Sequence, residues 1–259
     1  MKKNITNDVY NYWNSRCSGK FPGSNDFNLK KLEVETFCRE LQDIEFSSIL
    51  DVGCGAGETL NDIQSSFPGT LYAGIDIAEN MIELAKERYG NNRFRFKVDS
   101  LPNMSTVEEK FDVVISERSL INLESVEEQL SSIKRISDFL RPGGIYLMIE
   151  NFNSGLNNIN EVRKNMRLNE ISPPWFNLYF EDNFIDQVEM STCLRVKKES
   201  FFASTYYFLS RGIYARIAED RNETPQYDSE INLVSINYDL PEIGDFCPTK
   251  LIVWEKIHG

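Results

Sequence analysis

A glycine-rich segment flanked by carboxylates is the part of this 259-residue sequence best suited to chemistry. Residues 49–58 read ILDVGCGAGE, so an apolar run leads into Gly53, Gly55 and Gly57, with Asp51 before them and Glu58 after them. Glycines allow a tight turn and let a ligand approach the main chain. A helix that starts here would add unpaired N–H groups. The two carboxylates would repel a pyrophosphate and favour a ligand with a positive amine or sulfonium.

The spacing of the glycines separates this loop from a dinucleotide-binding loop. The dinucleotide fingerprint is GxGxxG, whereas the third glycine here comes one residue early and gives GxGxG. An NAD-dependent oxidoreductase on a similar sheet is therefore the weaker alternative.

The elements around the loop alternate between strand and helix. Apolar runs typical of strands lie at 47–53, 70–77, 93–99, 111–116 and 145–150. Segments with helical periodicity lie between them, at 58–67, 79–90 and 126–140. Gly90 is placed to end the second of these helices in a left-handed conformation. This alternation predicts parallel βαβ units in a sheet covered on both faces, with ligands beyond the carboxyl ends of the strands.

The flanking segments differ from this core. Tyr10 and Trp13 lie in a predicted N-terminal helix, and Asp26 is placed to cap a second one. After residue 150 the pattern becomes irregular, with predicted helices at 157–168, 181–190 and 205–219 and strands at 194–201 and 250–257. Residues 231–240 are ambiguous. We predict a single domain over 1–259, with an N-terminal helical lid (1–45), a cofactor-binding core (46–150), and an acceptor cap with the remaining strands (151–259).

The sequence D-V-G-C-G-A-G at 51–57 resembles motif I of class I S-adenosylmethionine-dependent methyltransferases. Four later segments resemble further motifs of that family, in order and at ordinary spacing: GIDIAENMIELAK (74–86), VDSLPN (98–103), FDVVISERSLINL (111–123) and FLRPGGIYLMIE (139–150). The resemblance covers residues 45–150. It implies an α/β Rossmann-like sheet, mostly parallel with an antiparallel last strand, N-terminal helices and a cap-like insertion, and S-adenosyl-L-methionine as cofactor.

The resemblance also implies roles for individual residues. Asp76 would accept the two ribose hydroxyls, Asp99 would lie near the adenine amino group, and Arg16 in a lid would pair with the methionyl carboxylate. The alternative for the lid is an amphipathic helix that only packs on the core. The predicted cofactor-binding residues are Tyr10, Trp13, Arg16, Asp51, Gly53, Gly55, Asp76, Ile77, Met81, Asp99, Ser100, Leu101 and Ser116.

The predicted catalytic residues are Glu117, Arg118 and Tyr179, with Glu117 and Arg118 beside the sulfonium; a surface ion pair is the alternative for those two. The single histidine, His258, is next to last, so histidine catalysis and histidine metal ligation are nearly excluded. Phe176 and Asn122 also stand where many relatives carry histidine, so no role passes to them. A proton acceptor would have to be Glu117, Asp182 or a tyrosine. A carboxylate or phosphate acceptor would need none, and Arg118, Arg163 or Arg211 could hold it.

The amino-acid composition limits the classes of molecule that this protein can bind. The net charge is −12 and no basic stripe appears, which argues against nucleic acid and an anionic membrane. We expect no metal, no disulfide framework, no signal peptide and no membrane span, and a cytoplasmic location.

The flanks point to the methyl acceptor. Segments such as VYNYWNSR (9–16), PPWFNLYF (173–180) and STYYFLSR (204–211) resemble bacterial small-molecule methyltransferases of surface-polysaccharide or sugar-precursor pathways. The expected function is methyl transfer to a small anionic or sugar-like metabolite, on oxygen. Besides the oxidoreductase, the alternatives are a non-catalytic methyltransferase-fold scaffold and aminopropyl transfer.

Overall fold

Seven strands form one sheet in the computed structural model, which describes residues 5–16, 23–238 and 240–257. The strands are β1 (Ser48–Val52), β2 (Leu71–Asp76), β3 (Phe94–Val98), β4 (Phe111–Glu117), β5 (Leu140–Asn151), β6 (Leu194–Ser200) and β7 (Thr249–Lys256). Their order across the sheet is β3-β2-β1-β4-β5-β7-β6. Strands β1 to β5 pair in parallel, whereas β7 runs antiparallel to both of its neighbours. The predicted Rossmann-like sheet with an antiparallel last strand is therefore confirmed.

Helices cover both faces of this sheet. They are α1 (Ile5–Ser15), α2 (Phe27–Leu41), α3 (Glu58–Ser66), α4 (Glu79–Tyr89), α5 (Val126–Phe139), α6 (Asn153–Asn165), α7 (Phe184–Ser191), α8 (Ser204–Tyr207), α9 (Ala215–Asp220) and α10 (Glu230–Asn237). A 3-10 turn at Leu120–Asn122 follows β4, and a π-helix at Phe208–Tyr214 joins α8 to α9. No helix in the described ranges is both long enough and apolar enough to cross a membrane.

Two hydrophobic cores result from the alternation of side chains along the central strands. Ile49 of β1 faces a core that contains Phe37 of α2 and Leu60 of α3. Leu50, the next residue, faces the opposite core, which contains Ile133 of α5 and Trp254 of β7. All five residues of β1 are buried, as expected for a parallel strand at the centre of a doubly covered sheet.

The conformation of Gly90 differs from the left-handed one predicted for the end of α4. Its φ of −57° is not left-handed, so the predicted αL end of α4 is wrong. Gly90 N donates to Lys86 O at 2.9 Å, and a Cβ at this position would lie 2.4 Å from that oxygen. The position therefore requires glycine for close approach rather than for handedness.

The C-terminal half contains the predicted elements with shifted bounds. The predicted helix at 181–190 is α7, and the ambiguous segment 231–240 contains most of α10. The helical segment at 205–219 is interrupted by the π-helix, a feature often found beside functional sites. Asp26 caps α2 as predicted, because its Oδ1 accepts a hydrogen bond from Leu29 N at 3.1 Å.

Candidate active site

A cavity of about 470 Å³ opens at the carboxyl ends of β1, β2 and β4, where the strand order reverses. Its wall is formed by the glycine loop, by α1 and the start of α2, by the loop after β4, and by residues 174–179. A cavity at this point is where ligands bind in open α/β sheets.

The glycine loop needs its glycines for backbone conformation. Gly53, Gly55 and Gly57 have φ angles of +84°, +52° and +83°. A Cβ at Gly53 would also lie 2.3 Å from Ser119 Cβ, so the loop packs directly against the segment that follows β4. These positions therefore disfavour any residue with a side chain.

Asp76 fastens the glycine loop to the start of α4. Its Oδ2 accepts a hydrogen bond from Gly55 N at 2.9 Å, and its Oδ1 accepts one from Ala78 N at 2.8 Å. Burial raises the pKa of Asp76, although the two N–H groups counteract part of that rise. Each carboxylate oxygen can accept a second hydrogen bond, so this structural role is compatible with the predicted contact to a ribose diol.

Asp51 presents an unsatisfied acceptor at the cavity wall. The carboxylate is buried, and no described group hydrogen-bonds its Oδ1. Burial, followed by the charge of Glu117, raises its pKa well above the usual range. Because buried polar atoms are rarely left without partners, this oxygen indicates a ligand donor, and a positively charged amine would suit it best.

Asp99 holds the adjacent loop. Its Oδ1 accepts from Ser100 N at 2.8 Å, and its Oδ2 accepts from Thr106 N and Thr106 Oγ1 at 2.6 and 2.7 Å. The structure thus brings the predicted residues of this side together along one wall of the cavity: Ile77, Met81, Asp99, Ser100 and Leu101.

Helix α1 contributes one of the two predicted aromatic residues to the cavity, and Tyr12 in place of the other. Trp13 and Arg16 line the cavity as expected, and so does Tyr12, but Tyr10 does not. Tyr10 lies off the face that meets the cavity, because Val9, Tyr12, Trp13 and Arg16 share one helical face at i, i+3, i+4 and i+7. This spacing is visible in the sequence and could have identified Tyr12.

Contacts of α1 close this side of the cavity. Trp13 Nε1 donates to Asn122 Oδ1 at 3.3 Å, and the Tyr12 and Phe176 rings lie 4.6 Å apart. Arg16 donates to Tyr12 Oη and Asn25 Oδ1, both at 2.7 Å. The helix thus spans from the segment after β4 to residues 174–179.

Ser116 also lies outside the cavity. It is fully buried, and its hydroxyl lies 2.7 Å from Tyr146 Oη and donates to Glu150 Oε1 at 3.3 Å. Side chains alternate along a strand, so Ser116 faces the core on the α5 side whereas the next residue, Glu117, lines the cavity. The predicted cofactor contact of Ser116 is not formed by this geometry.

Glu117 and Arg118 form partly buried ion pairs with α2. Both Glu117 oxygens lie 2.6 Å from Lys30 Nζ, and Arg118 Nη2 donates to Glu33 Oε2 at 3.0 Å. Burial raises the pKa of Glu117, but the charges of Lys30 and Arg118 outweigh it and lower the pKa to about 2. A carboxylate this acidic is a poor proton acceptor at neutral pH. Glu117 and Arg118 also lie 3.5 Å apart, and their side chains are 7% and 23% exposed, so the pair lies in the cavity wall and is not fully exposed.

The opposite wall carries amide and phenol groups. Tyr179, Asn151 and Asn177 line it, and burial raises the pKa of Tyr179 while hydrogen bonds with the two asparagines counteract the rise. Arg211 lines this wall too, but its guanidinium lies 2.5 Å from Asp26 Oδ2 and 4.9 Å from the centre of the Tyr207 ring.

Two other candidates lie elsewhere. Arg163 donates to the backbone oxygens of Asn169 and Arg211, and Asp182 accepts from Lys250 Nζ and Ser154 Oγ; neither residue lines the cavity. His258 lies outside the described residues.

Sequence reasoning missed the contribution of α2. Asp26, Lys30 and Glu33 bind Arg211, Glu117 and Arg118, respectively, and thereby tie both ends of the site to one helix. Their spacing of i, i+4 and i+7 was a usable signal, because it places three charged side chains on one face of a helix.

These features define a class of protein. A mostly parallel sheet with a left-handed glycine loop, and with acidic residues at the carboxyl ends of β1, β2 and β3 around one cavity, is the architecture of a Rossmann-like methyltransferase. Comparison with known proteins agrees. A family model described as "Methyltransferase domain" matches residues 46–212, so the chain belongs to the methyltransferase-domain family, whose methyl donor is S-adenosyl-L-methionine.

Individual relatives are more distant. The chain is 31% identical to phosphoethanolamine N-methyltransferase from Plasmodium falciparum over 121 residues. This aligned segment covers 45% of each of the two chains. It is 28% identical over 144 residues to a ubiquinone biosynthesis O-methyltransferase from Hydrogenovibrio crunogenus, covering 54% of this chain and 56% of the relative. The chain thus spans about half the length of the curated relatives it matches.

Solved structures share the whole fold. The N-methyltransferase NodS from Bradyrhizobium japonicum, in complex with S-adenosyl-L-homocysteine, superposes with a TM-score of 0.62 at 13% identity and covers 96% of this chain and 98% of its own. Magnesium protoporphyrin IX methyltransferase from Synechocystis gives 0.60 at 15% identity, with 97% and 99% coverage. At these identities the likeness concerns the fold.

Proposed function

We propose that this protein transfers a methyl group from S-adenosyl-L-methionine to an oxygen of a small, sugar-like metabolite. The observation that carries the proposal is the unsatisfied Oδ1 of Asp51 beside the left-handed glycine loop. All three loop glycines have positive φ, and the space beside Gly55 is open. Open space next to a buried acceptor that lacks a donor fits a ligand with a positively charged amino group.

The remaining residues of the cavity fit the other parts of the donor. Asp76 would hold the ribose hydroxyls, and the wall around Asp99, Ser100, Leu101, Ile77 and Met81 would hold the adenine. Arg16 would bind the methionyl carboxylate, because its guanidinium lies in the cavity wall among neutral groups. Trp13 would cover the site and exclude water.

Charge pairing on the acceptor side favours a neutral acceptor over an anionic one. Arg118 and Arg211 are neutralised by Glu33 and Asp26, so neither offers an unpaired positive charge to a carboxylate or phosphate. Asn151, Asn177 and Tyr179 instead present amide and phenol groups, which donate to and accept from hydroxyls. A hydroxylated acceptor agrees with the predicted relation to sugar-precursor pathways.

The chemistry asks little of the protein beyond positioning. When bound, the donor supplies a methyl group already activated by the sulfonium. The acceptor oxygen would take this methyl group as the sulfur–carbon bond breaks, and S-adenosylhomocysteine would leave. The hydroxyl proton would pass to water, because the Glu117 carboxylate is too acidic to accept it. Tyr179 remains a neutral phenol because its pKa is raised, so it can orient the acceptor by hydrogen bonding. Glu117 remains ionised and bound to Lys30, and this leaves it a structural task.

Ligand-dependent thermal stability tests the proposed donor. We expect S-adenosylhomocysteine to raise the melting temperature and NADH to leave it unchanged, since a ligand at 100 times its Kd adds about 2.7 kcal/mol to stability. Stabilisation by NADH alone would instead support an oxidoreductase. A protein that binds S-adenosylhomocysteine but transfers no methyl to any fraction of a metabolite extract would be a scaffold.

A further inference from the structure

The segment of residues 117–122, which begins at the last residue of β4, contacts four other parts of the cavity wall: the glycine loop, α1, α2 and residues 174–179. Ser119 packs against Gly53 of the glycine loop and donates from Oγ to Val52 O at 2.8 Å. Asn122 accepts a hydrogen bond from Trp13 of α1, and Ile121 O accepts one from Leu178 N at 2.6 Å. The position of this segment therefore sets how the glycine loop, α1 and residues 174–179 meet.

One buried carboxylate holds this segment in place. Glu150, near the end of β5, is fully buried and accepts hydrogen bonds from three consecutive backbone N–H groups. Its Oε1 accepts from Ser119 N and Leu120 N, both at 3.0 Å, and its Oε2 accepts from Ile121 N at 3.4 Å. Ser116 Oγ completes the set at 3.3 Å. Consecutive N–H groups that converge in this way form a binding site for an anion.

The cost of burying this charge argues that the arrangement has a purpose. Every hydrogen-bond donor to Glu150 described here is a neutral backbone or hydroxyl group, so its burial lacks the compensation of a directly bonded ion pair. A neutral side chain could fill the same space in the sheet, but no common one would accept from three N–H groups at once.

We propose that Glu150 is a positioning residue of the active site, which fixes residues 117–122 against the glycine loop and thereby shapes the donor-binding cavity. Glu150 is not part of the cavity wall and acts only through this segment. The inference rests on the proposed function, because its readout is the affinity for S-adenosylhomocysteine.

The test compares Glu150→Gln with Tyr146→Phe. Tyr146 is also fully buried on β5 and bonds the same Ser116 hydroxyl, so Tyr146→Phe disturbs the same cluster and leaves the carboxylate in place. For each protein we would measure S-adenosylhomocysteine affinity by calorimetry, the melting temperature, and hydrogen exchange of the peptide covering residues 117–123. Glu150→Asp, which keeps the charge on a shorter side chain, serves as a second variant should the Gln variant fail to fold.

We expect Glu150→Gln to bind S-adenosylhomocysteine about tenfold more weakly and to lose protection in residues 117–123. Tyr146→Phe should keep both properties even if its melting temperature falls by as much. Glu150→Asp should show the same losses to a smaller extent. The proposal is overturned if the Glu150 variants bind as tightly as the wild type, or if Tyr146→Phe loses affinity equally. Failure of the wild type to bind S-adenosylhomocysteine would instead refute the proposed function.

Discussion

Carboxylates that accept hydrogen bonds from backbone N–H groups lie at both ends of the central strands. Only the carboxyl ends of these strands line the cavity. Asp76 bonds Gly55 N and Ala78 N beside the cavity. At the far end of β1, Asp112 accepts from Ser47 N at 2.9 Å and Ser48 N at 3.1 Å and pairs with Arg141. The two residues have the same structural task, so they form a matched pair for separating binding from stability.

Substituting alanine for each of these aspartates should separate the two effects. Asp76→Ala should weaken S-adenosylhomocysteine binding roughly 10²- to 10⁴-fold, because the two proposed charge-assisted hydrogen bonds to the ribose contribute about 1.5–3 kcal/mol each. Both Asp76→Ala and Asp112→Ala should lower the free energy of unfolding by about 1–3 kcal/mol, since each leaves backbone donors unpaired. Calorimetry and urea unfolding measure the two quantities. Equal losses of affinity in the two variants would show that Asp76 acts only through the fold.

Glu150 makes stability depend on pH in a known direction. Burial raises its pKa from the usual 4.5 to about 7, despite the opposing backbone hydrogen bonds. Between these two values the folded state binds the proton more tightly than the unfolded state does, so this group's contribution to stability falls as pH rises. The loss is complete above pH 7 and amounts to about 3 kcal/mol.

The comparison of wild type with Glu150→Gln isolates this titration. The variant lacks the ionisable group, whereas other perturbed acids such as Asp51 and Glu33 are common to both proteins and cancel in the difference. We expect the unfolding free energy of the wild type minus that of the variant to be about 3 kcal/mol larger at pH 4.5 than at pH 8, measured by urea denaturation. Parallel pH profiles would contradict the raised pKa.

At the scale of elements, helix α2 and its N-cap residue hold three residues of the cavity wall in place through ion pairs. Lys30 holds Glu117 after β4, and Glu33 holds Arg118, while Asp26 at the helix start holds Arg211 of the π-helix. Arg118 has a positive φ of +51°, which is unfavourable for a residue with a side chain. The ion pair with Glu33 therefore supports a strained backbone at the edge of the cavity.

Two adjacent lysines on α2 allow the contribution of the Lys30–Glu117 ion pair to stability to be measured. Lys30 is 15% exposed and bonds Glu117 and Thr59, whereas Lys31 is 51% exposed and lies 3.7 Å from Glu35. Lys30→Met should cost about 2–3 kcal/mol of stability, because it removes the shorter ion pair of the Glu117 carboxylate and leaves only Arg118 at 3.5 Å. Lys31→Met should cost less than about 0.5 kcal/mol, as expected for a surface pair. Thermal or urea unfolding provides the measurement, and equal effects would mean that the Glu117 pair adds nothing.

The elements themselves were largely predictable because each depends on local hydrophobic periodicity and turn residues. The strands of the sheet and the glycine loop follow from such patterns, and the motif order placed Asp51, Asp76 and Asp99 in one cavity. The pairing of Lys30 with Glu117 was not predictable in the same way, because it joins residues far apart in sequence. The position of Tyr10 outside the cavity has a tertiary reason, since the face of α1 that meets the cavity is set by packing against Phe176 and Asn122.

At the scale of the whole molecule, charge and cavity point to the same class of acceptor. The chain carries 40 acidic and 28 basic residues, so its average field repels polyanions. Within the cavity wall, Lys30, Arg118 and Arg211 are each bound to a carboxylate of this chain. The fourth cation among the described residues of the wall, Arg16, is the one that we assign to the carboxylate of the donor. Hydrogen bonding and shape therefore remain as the means of recognising an acceptor.

We therefore expect radiolabelled methyl groups from S-adenosyl-L-methionine to appear in small neutral metabolites and not in tRNA or protein. The rate with such an acceptor should change less than about threefold between 50 and 200 mM salt, because few counterions are released on binding. A protein gripping a phosphate backbone would lose affinity roughly 10³- to 10⁵-fold over the same range. The measurement is methyl transfer to size-fractionated cell extract at the two salt concentrations. Label confined to tRNA, with steep salt dependence, would contradict the neutral acceptor and would require an unpaired basic surface that the described residues of this cavity wall do not provide.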